Sequence, residues 1–149
     1  MTTLKKGDQA PQFKSINEVG QTIQLSDYKG KKLVLFFYPK ASTPGCTAEA
    51  CNLRDNYHTF LSKGYEILGV SADAPKKQLQ FKDKYQLPFS LLADESKEVI
   101  NAYQVWGTKK FMGKTYDGIY RTTFIIDENG IIEDVIKDVK TKDHTSQIL

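Results

Sequence analysis

Lys32-Leu-Val-Leu-Phe-Phe-Tyr38 is the stretch that decides the fold. It is short, apolar on both faces and built from branched and aromatic side chains, the pattern of a strand buried from both sides. Leu33 to Tyr38 is also the longest uninterrupted apolar run, six residues, against about 20 for a membrane-spanning helix, so no transmembrane segment is expected. A loop, Pro39 to Gly45, follows the strand. From Cys46 to Lys63 the apolar residues Leu53, Tyr57, Phe60 and Leu61 recur at the spacing of one helix face, and Gly64 supplies a C-terminal cap.

The same alternation continues downstream. Tyr65 to Ser71 reads as a strand, Asp73-Ala-Pro75 as the entry to a helix reaching about Tyr85, and Phe89 to Leu92 as a third strand. Asp94 caps a helix that carries Val99, Ile100 and Tyr103 on one face. Tyr120 to Ile126 and Ile131 to Ile136 flank Asp127-Glu-Asn-Gly130, a hairpin signal. Gln9 to Leu25 adds a small N-terminal hairpin. Strands alternating with helices and closed by a hairpin imply a three-layer α/β fold with a central mixed sheet and helices on both faces. With 149 residues and no linker-like or repeated stretch, residues 1–149 read as one domain.

Composition narrows the function. Hydrophobic residues are 40% and charged residues 26%, ordinary for a globular protein. The net charge of +3 comes from 21 basic and 18 acidic residues, interspersed rather than clustered, which argues against nucleic-acid binding. The N-terminal MTTLKKGDQAPQF lacks the apolar core of a secretion signal; a cytoplasmic location, where thiols start reduced, is the expectation.

Two cysteines, Cys46 and Cys51, are spaced C-x4-C. That is neither a zinc knuckle nor the C-x2-C of disulfide reductases, and with His58 and His144 the only histidines, far apart in the chain, no metal site and no cofactor are expected. A free cysteine is ordinarily a small buried hydrophobe. The context of Cys46 is different. Thr43-Pro44 is a helix start, so Cys46 falls in the first helical turn, just beyond the C-terminal end of a strand, where α/β sheets place ligands. Unpaired N–H groups and the positive end of the helix favour a thiolate there, whereas an ordinary thiol is only about 3% ionised at pH 7. Cys51 lies five residues on. In an ideal helix, residues i and i+5 are about 8.7 Å apart at Cα, beyond the ~7 Å a disulfide spans. A Cys46–Cys51 bond therefore requires the first turns to unwind.

Phe37-Tyr-Pro-Lys40, Thr43-Pro-Gly-Cys46-Thr-Ala-Glu-Ala-Cys51 and Arg54-Asp55 resemble the active-site segment of peroxiredoxins, above all the bacterioferritin comigratory protein or Q-type branch. The family's Pro-x3-Thr-x2-Cys pattern is met by Pro39, Thr43 and Cys46. Gly7 to Phe13, Val105 to Gly118 and Arg121 to Asp127 are similar to the same branch, while Ala41-Ser42 departs from its more polar pair. The resemblance implies a thioredoxin-like fold and a thiol peroxidase acting on hydrogen peroxide and organic hydroperoxides. In it, Cys46 is the nucleophile and Cys51 resolves the sulfenic acid. Thr43 hydrogen-bonds thiolate and peroxide through its hydroxyl, Arg121 stabilises the thiolate and polarises the O–O bond, and Pro39 shields the pocket. Tyr38 lines or supports that pocket, and Glu49 supports it structurally, holding an arginine. Thioredoxin, or glutaredoxin or glutathione, is the implied reductant, the molecule is implied to be a monomer, and its final helix, ending at Leu149, is expected to be short. Read without that resemblance, Arg121 is a surface arginine on an edge strand, Trp106 a packing residue and His58 a solvated one. Competing functions are a disulfide reductase, which the missing C-x2-C disfavours, and a redox-sensing interaction module.

Overall fold

The computed structural model describes residues 1–149. In chain order it contains β1 (Lys14–Ile16), β2 (Thr22–Gln24), a 3-10 turn (Leu25–Tyr28), β3 (Lys32–Phe37), α1 (Pro44–Asp55), α2 (Tyr57–Ser62), β4 (Tyr65–Ser71), α3 (Pro75–Tyr85), β5 (Ser90–Ala93), α4 (Glu98–Ala102), β6 (Trp106–Phe111), β7 (Lys114–Ile119), β8 (Thr122–Ile126), β9 (Ile132–Ile136) and α5 (His144–Ile148). Five strands form the central sheet in the order β5-β4-β3-β8-β9. The β3–β4 and β4–β5 pairs are parallel, and the β3–β8 and β8–β9 pairs antiparallel. This is the expected mixed sheet, with β3 at its centre.

Alternation along β3 sorts the core into two layers. Leu33, Leu35 and Phe37 point to one face, where they meet Val99 and Ile100 of α4, Tyr103 and Phe13. Val34, Phe36 and Tyr38 point to the other, against Cys46, Ala50 and Leu53 of α1, Phe60 of α2 and Phe81 of α3. A two-residue period cannot serve one face alone when every position is apolar, so helices cover both. Gly69 of β4 has no room for a side chain: a Cβ there would lie 2.8 Å from Leu91 and 2.9 Å from Phe36.

Two expectations are corrected, and one stretch left without a structural reading acquires one. The helix expected over residues 46–63 is two, α1 and α2, broken at Asn56 (φ −112°, ψ 10°). The Asn56 side chain donates back to the Asn52 carbonyl at 2.8 Å, an alternative to the helical ladder. The break shifts the helical phase, so Phe60 is buried while Leu61 is 44% exposed. Asp94 is not the residue flanking its helix; Lys97 is, in a left-handed conformation (φ 64°), and Asp94 reaches over it to accept the Ile100 N–H at 2.8 Å. The run from residue 105 to 118, read only through its family likeness, forms the β6–β7 hairpin, turning at Met112 (φ 51°) and Gly113 (φ 79°). The N-terminal hairpin, the start of α3 at Pro75 and the short α5 are as expected.

Candidate active site

Cys46 sits where the β3 strand hands over to α1. Thr43, the residue before the helix, is extended (φ −81°, ψ 155°), and Pro44 opens the first turn. Proline lacks an N–H that would go unpaired there in any case. The N–H groups of Gly45 and Cys46 have no backbone partner; the first helical bond is Thr47 N–H to Thr43 C=O at 2.8 Å. The dipole end of α1 is thus open beside the sulfur. Cys46 is 1% exposed, packed in the layer with Phe36 and Tyr38.

Arg121, immediately before β8, closes the site from the opposite direction. Its Nη2 lies 3.3 Å from Cys46 Sγ, and its Nη1 donates to Glu49 Oε1 at 2.8 Å. Cys46 and Glu49 are three residues apart on α1, one helical turn, so one planar guanidinium spans both. Gly45 permits this approach: a Cβ at that position would stand 3.2 Å from Arg121 Nη2. The opposing groups Cys46 and Glu49 raise the Arg121 pKa further despite its burial, so its charge is fixed. A cation with a directed N–H beside sulfur favours negative charge on that sulfur.

Around this core the other expected residues fall in different places. Glu49 is fully buried and pinned to Arg121, as a supporting carboxylate would be. Burial raises its pKa to about 7 against the opposing pull of Arg121. Thr43 Oγ1 donates to Lys40 C=O at 2.7 Å and makes no side-chain cap. Its hydrogen is committed to the loop, and its oxygen lone pairs are what it can offer to a ligand. Pro39 is half-buried in the same loop. Tyr38 is fully buried beneath Cys46, its hydroxyl turned inward to Gln78. It therefore supports the site from below, and its hydroxyl does not line an open pocket. Cys51 is half-buried on the same helix, and both thiols are free. Burial, with Asp55, pushes the Cys51 thiol pKa up against the pull of Arg54. An unbroken α1 separates the two cysteines, the geometry that forbids their direct bonding.

Two groups of residues were not anticipated. Gln78 Nε2 donates to Ser71 Oγ at 2.9 Å and to Leu92 C=O at 2.8 Å; Ser71 Oγ donates to Asp73 at 2.7 Å, which also accepts the Ala41 N–H at 2.8 Å. This polar chain ties Tyr38 and the Pro39–Gly45 loop to β4 and α3. The one signal in the sequence is Asp73, which belongs to the expected helix entry Asp73-Ala-Pro75 but serves the loop. The second is His144 of α5, fully buried with Nε2 3.4 Å from Glu49 Oε2. Nothing in its polar surroundings marks it.

Comparison with known proteins agrees with this geometry. The model of the AhpC/TSA family matches residues 6–135. Peroxiredoxin Bcp of Escherichia coli K12 is 47% identical over 149 residues, covering 100% of this chain and 96% of that protein. A cysteine-to-serine mutant of PrxQ from Xylella fastidiosa superposes with a TM-score of 0.92 at 28% identity, covering 99% of this chain and 94% of that one. The bacterioferritin comigratory protein of Xanthomonas campestris, solved as trapped intermediate and ligand complexes bearing on alkyl peroxide reduction, has a TM-score of 0.85 at 32% identity over 91% of this chain and 87% of its own. The fold is that of the thioredoxin-like peroxiredoxins, and no helix is long and apolar enough to cross a membrane. A cysteine at an open helix start, met by a half-buried arginine, is thus found in a chain that belongs to the AhpC/TSA family, in its Bcp/PrxQ branch of thiol-dependent peroxidases.

Proposed function

We propose that Cys46 is the peroxidatic nucleophile, that Cys51 resolves it, and that a thioredoxin-type dithiol completes the cycle. The observation that carries this reading is Arg121 Nη2 at 3.3 Å from Cys46 Sγ in the first turn of α1. The Cys46 thiolate attacks one peroxide oxygen, the O–O bond breaks, and the pair of electrons leaves on the other oxygen, which takes up a proton as water or an alcohol. Arg121 and the free N–H groups of Gly45 and Cys46 stabilise charge as it moves from sulfur to the leaving oxygen; fixed donors of this kind are worth about 10²–10³ in rate. The Thr43 oxygen accepts the peroxide's hydrogen, and Pro39 shields the sulfur from water.

Cys46 sulfenic acid then condenses with the Cys51 thiol, releasing water and forming an intramolecular disulfide. This step unwinds the first turns of α1 and exposes the bond to a dithiol partner, thioredoxin or glutaredoxin, which attacks one sulfur in line and leaves as its own disulfide. Hydrogen peroxide and alkyl hydroperoxides are the substrates. Every group in this scheme comes from one chain, so the reaction needs no second copy, and the reduced thiols it starts from fit a cytoplasmic location.

One experiment tests the assignment. One equivalent of peroxide is added to Cys51→Ser and to Cys46→Ser, with sulfenic acid trapped by a dimedone-type reagent and located by mass. Label on Cys46 is expected in the first, where it persists and over-oxidises, and none in the second. Turnover of both peroxides with thioredoxin and its reductase is expected only when both cysteines are present. A labelled Cys51, or full thioredoxin-linked turnover in Cys51→Ser, overturns the scheme.

A further inference from the structure

Glu49 is hydrogen-bonded at one oxygen only. Oε1 accepts from Arg121, but Oε2, completely enclosed, has no hydrogen-bond partner. What faces it is His144 Nε2 at 3.4 Å, equally enclosed. The hydrogen positions on that ring are set by its neighbours. Gln147 Nε2 donates to Asp138 C=O at 2.8 Å, and Gln147 Oε1 accepts the Lys140 N–H at 2.9 Å, which fixes the amide with its oxygen toward the ring. His144 Nδ1, 2.8 Å from that oxygen, must therefore carry a hydrogen. In the neutral ring Nε2 is then bare, its one lone pair accepting from Thr123 Oγ1 at 2.7 Å, with the unpartnered Oε2 standing 3.4 Å away. Two bare acceptors facing each other in a closed interior are unfavourable. One proton between them removes the conflict, whether it rests on the carboxyl or on the ring.

We propose that His144 is a positioning residue of the peroxide site: it shares one proton with Glu49, and through Glu49 it holds Arg121 on the Cys46 sulfur. The inference rests on the catalytic reading of Cys46 and Arg121 above. Its consequence is electrostatic as well as geometric. With the proton in place the Glu49–His144 pair is neutral overall, so Arg121 keeps its charge for the thiolate and the leaving oxygen. When the proton is lost, an anionic carboxylate competes for the same guanidinium.

Burial acts in the same sense at both partners, pushing the Glu49 pKa up to about 7 and the His144 pKa down, each toward its uncharged form. Arg121 is the charged group acting on both Glu49 and His144; Cys46 of α1 acts on Arg121, and Lys109 of β6 feels both Arg121 and Cys46, while Thr123 of β8 and Gln147 of α5 are neutral. A carboxyl with a raised folded-state pKa holds its proton below about 7 and loses it above. The peroxide step is therefore expected to fall as pH rises and the shared proton leaves.

The test is the rate of sulfenic acid formation at Cys46 between pH 5 and 9 in three proteins, each carrying Cys51→Ser: the parent, His144→Gln and His144→Leu. Thermal melts establish folding. His144→Leu, which leaves Oε2 with nothing, is expected to lower the rate at pH 7 by about tenfold. His144→Gln, whose amide can donate to Oε2 and so holds Glu49 ionised without titrating, is expected to stay near the parent's high-pH rate across the whole range and to lack the falling limb. A merely structural histidine would change melting temperature and leave the profile of folded protein intact. Should His144→Leu not fold, His144→Gln and the ¹⁵N-histidine NMR titration of the parent decide. That titration is expected to show Nδ1 protonated throughout and Nε2 responding near the kinetic limb. A parent with no falling limb, or a His144→Gln profile identical to the parent, overturns the inference while leaving the role of Cys46 standing. Absence of sulfenic acid on Cys46 in the parent overturns both.

Discussion

Cys46 and Cys51 share one helix and could hardly be placed more differently. Cys46 is 1% exposed, packed on Phe36 and Tyr38 with Arg121 at its sulfur. Cys51, a turn and a half further on, is half-buried with Arg54 and Asp55 as its charged neighbours. One site is assembled by long-range contacts from β8 and the sheet; the other belongs to the helix surface. The difference fits the proposed roles, in which a nucleophile and its resolving partner need opposite environments. In that scheme the first must be held still among fixed charges to react quickly with peroxide. The second has only to remain a thiol until the first is oxidised, and a raised pKa, which suppresses its thiolate, protects it from reacting first.

The sharpest way to break that contrast is to strip Cys46 of its cation. Arg121→Ala is expected to lower the peroxide rate by at least about 10² while the sheet stays folded. It should leave the reactivity of Cys51 toward alkylating reagents little changed. Arg121→Lys is expected to restore only part of the rate, because one ammonium cannot span Cys46 Sγ and Glu49 Oε1 together. Stopped-flow oxidation of each variant measures the effect. Equal rates in Arg121→Ala and the parent would show that the two cysteines do not differ electrostatically in the way described.

A smaller change tests whether distance matters as well as charge. Gly45→Ala places a methyl 3.2 Å from Arg121 Nη2, the atom that faces the sulfur, so the guanidinium must move by a few tenths of an ångström. Its φ is not in the left-handed range, and alanine suits a helix better than glycine. The rate is expected to fall about three- to tenfold while the melting temperature holds or rises. A rate at the parent's value would mean that Arg121 tolerates displacement and acts through long-range charge alone.

Much of this was readable before any coordinates. The apolar run Leu33–Tyr38 announces a strand covered on both faces, and Thr43-Pro44 announces the helix that opens at Cys46, because both signals are local. What stayed hidden depends on partners far along the chain. His144 lies in a polar segment, Lys140-Thr-Lys-Asp-His144-Thr, with no apolar period to mark it as buried; only packing against β8 and α1 makes it so. Leu61 was placed on a buried face because the break at Asn56 depends on one side chain turning back to Asn52. The β6–β7 hairpin escaped because its turn uses Met112, an uncommon residue at positive φ, and because Phe111, Met112 and Tyr116 are exposed rather than alternating into a core. Patterning reports what the core selects, and this hairpin is not part of the core.

The remaining contrast is between the two halves of the helix region itself. Upstream, the side chains that α1 buries are Cys46, Glu49 and Ala50, small or charged; downstream, Leu53 and Phe60 are large, apolar and fully enclosed. Apolar area holds the downstream part, while the upstream part depends on Arg121 and on α5, where Asn52 Oδ1 accepts the Thr145 N–H at 2.8 Å and Asn52 Nδ2 donates to Lys142 C=O at 3.2 Å. If Cys51 is to reach Cys46, this upstream part must open, and α5 must release it. Amide exchange compared between reduced and disulfide-bonded protein is expected to lose protection over residues 45–52, and to a lesser degree over α5, with little change at Phe60. Asn52→Ala removes two hydrogen bonds worth about 1 kcal/mol each. It should raise exchange over residues 45–52 in the reduced protein and speed disulfide formation several-fold, without altering the peroxide step by more than about twofold, since Asn52 touches neither sulfur nor Arg121. Unchanged protection on oxidation, with the Cys46–Cys51 disulfide confirmed by mass, would mean that α1 does not hold the two sulfurs apart, and the division of labour drawn here between a rigid nucleophile and a mobile resolver would fall with it.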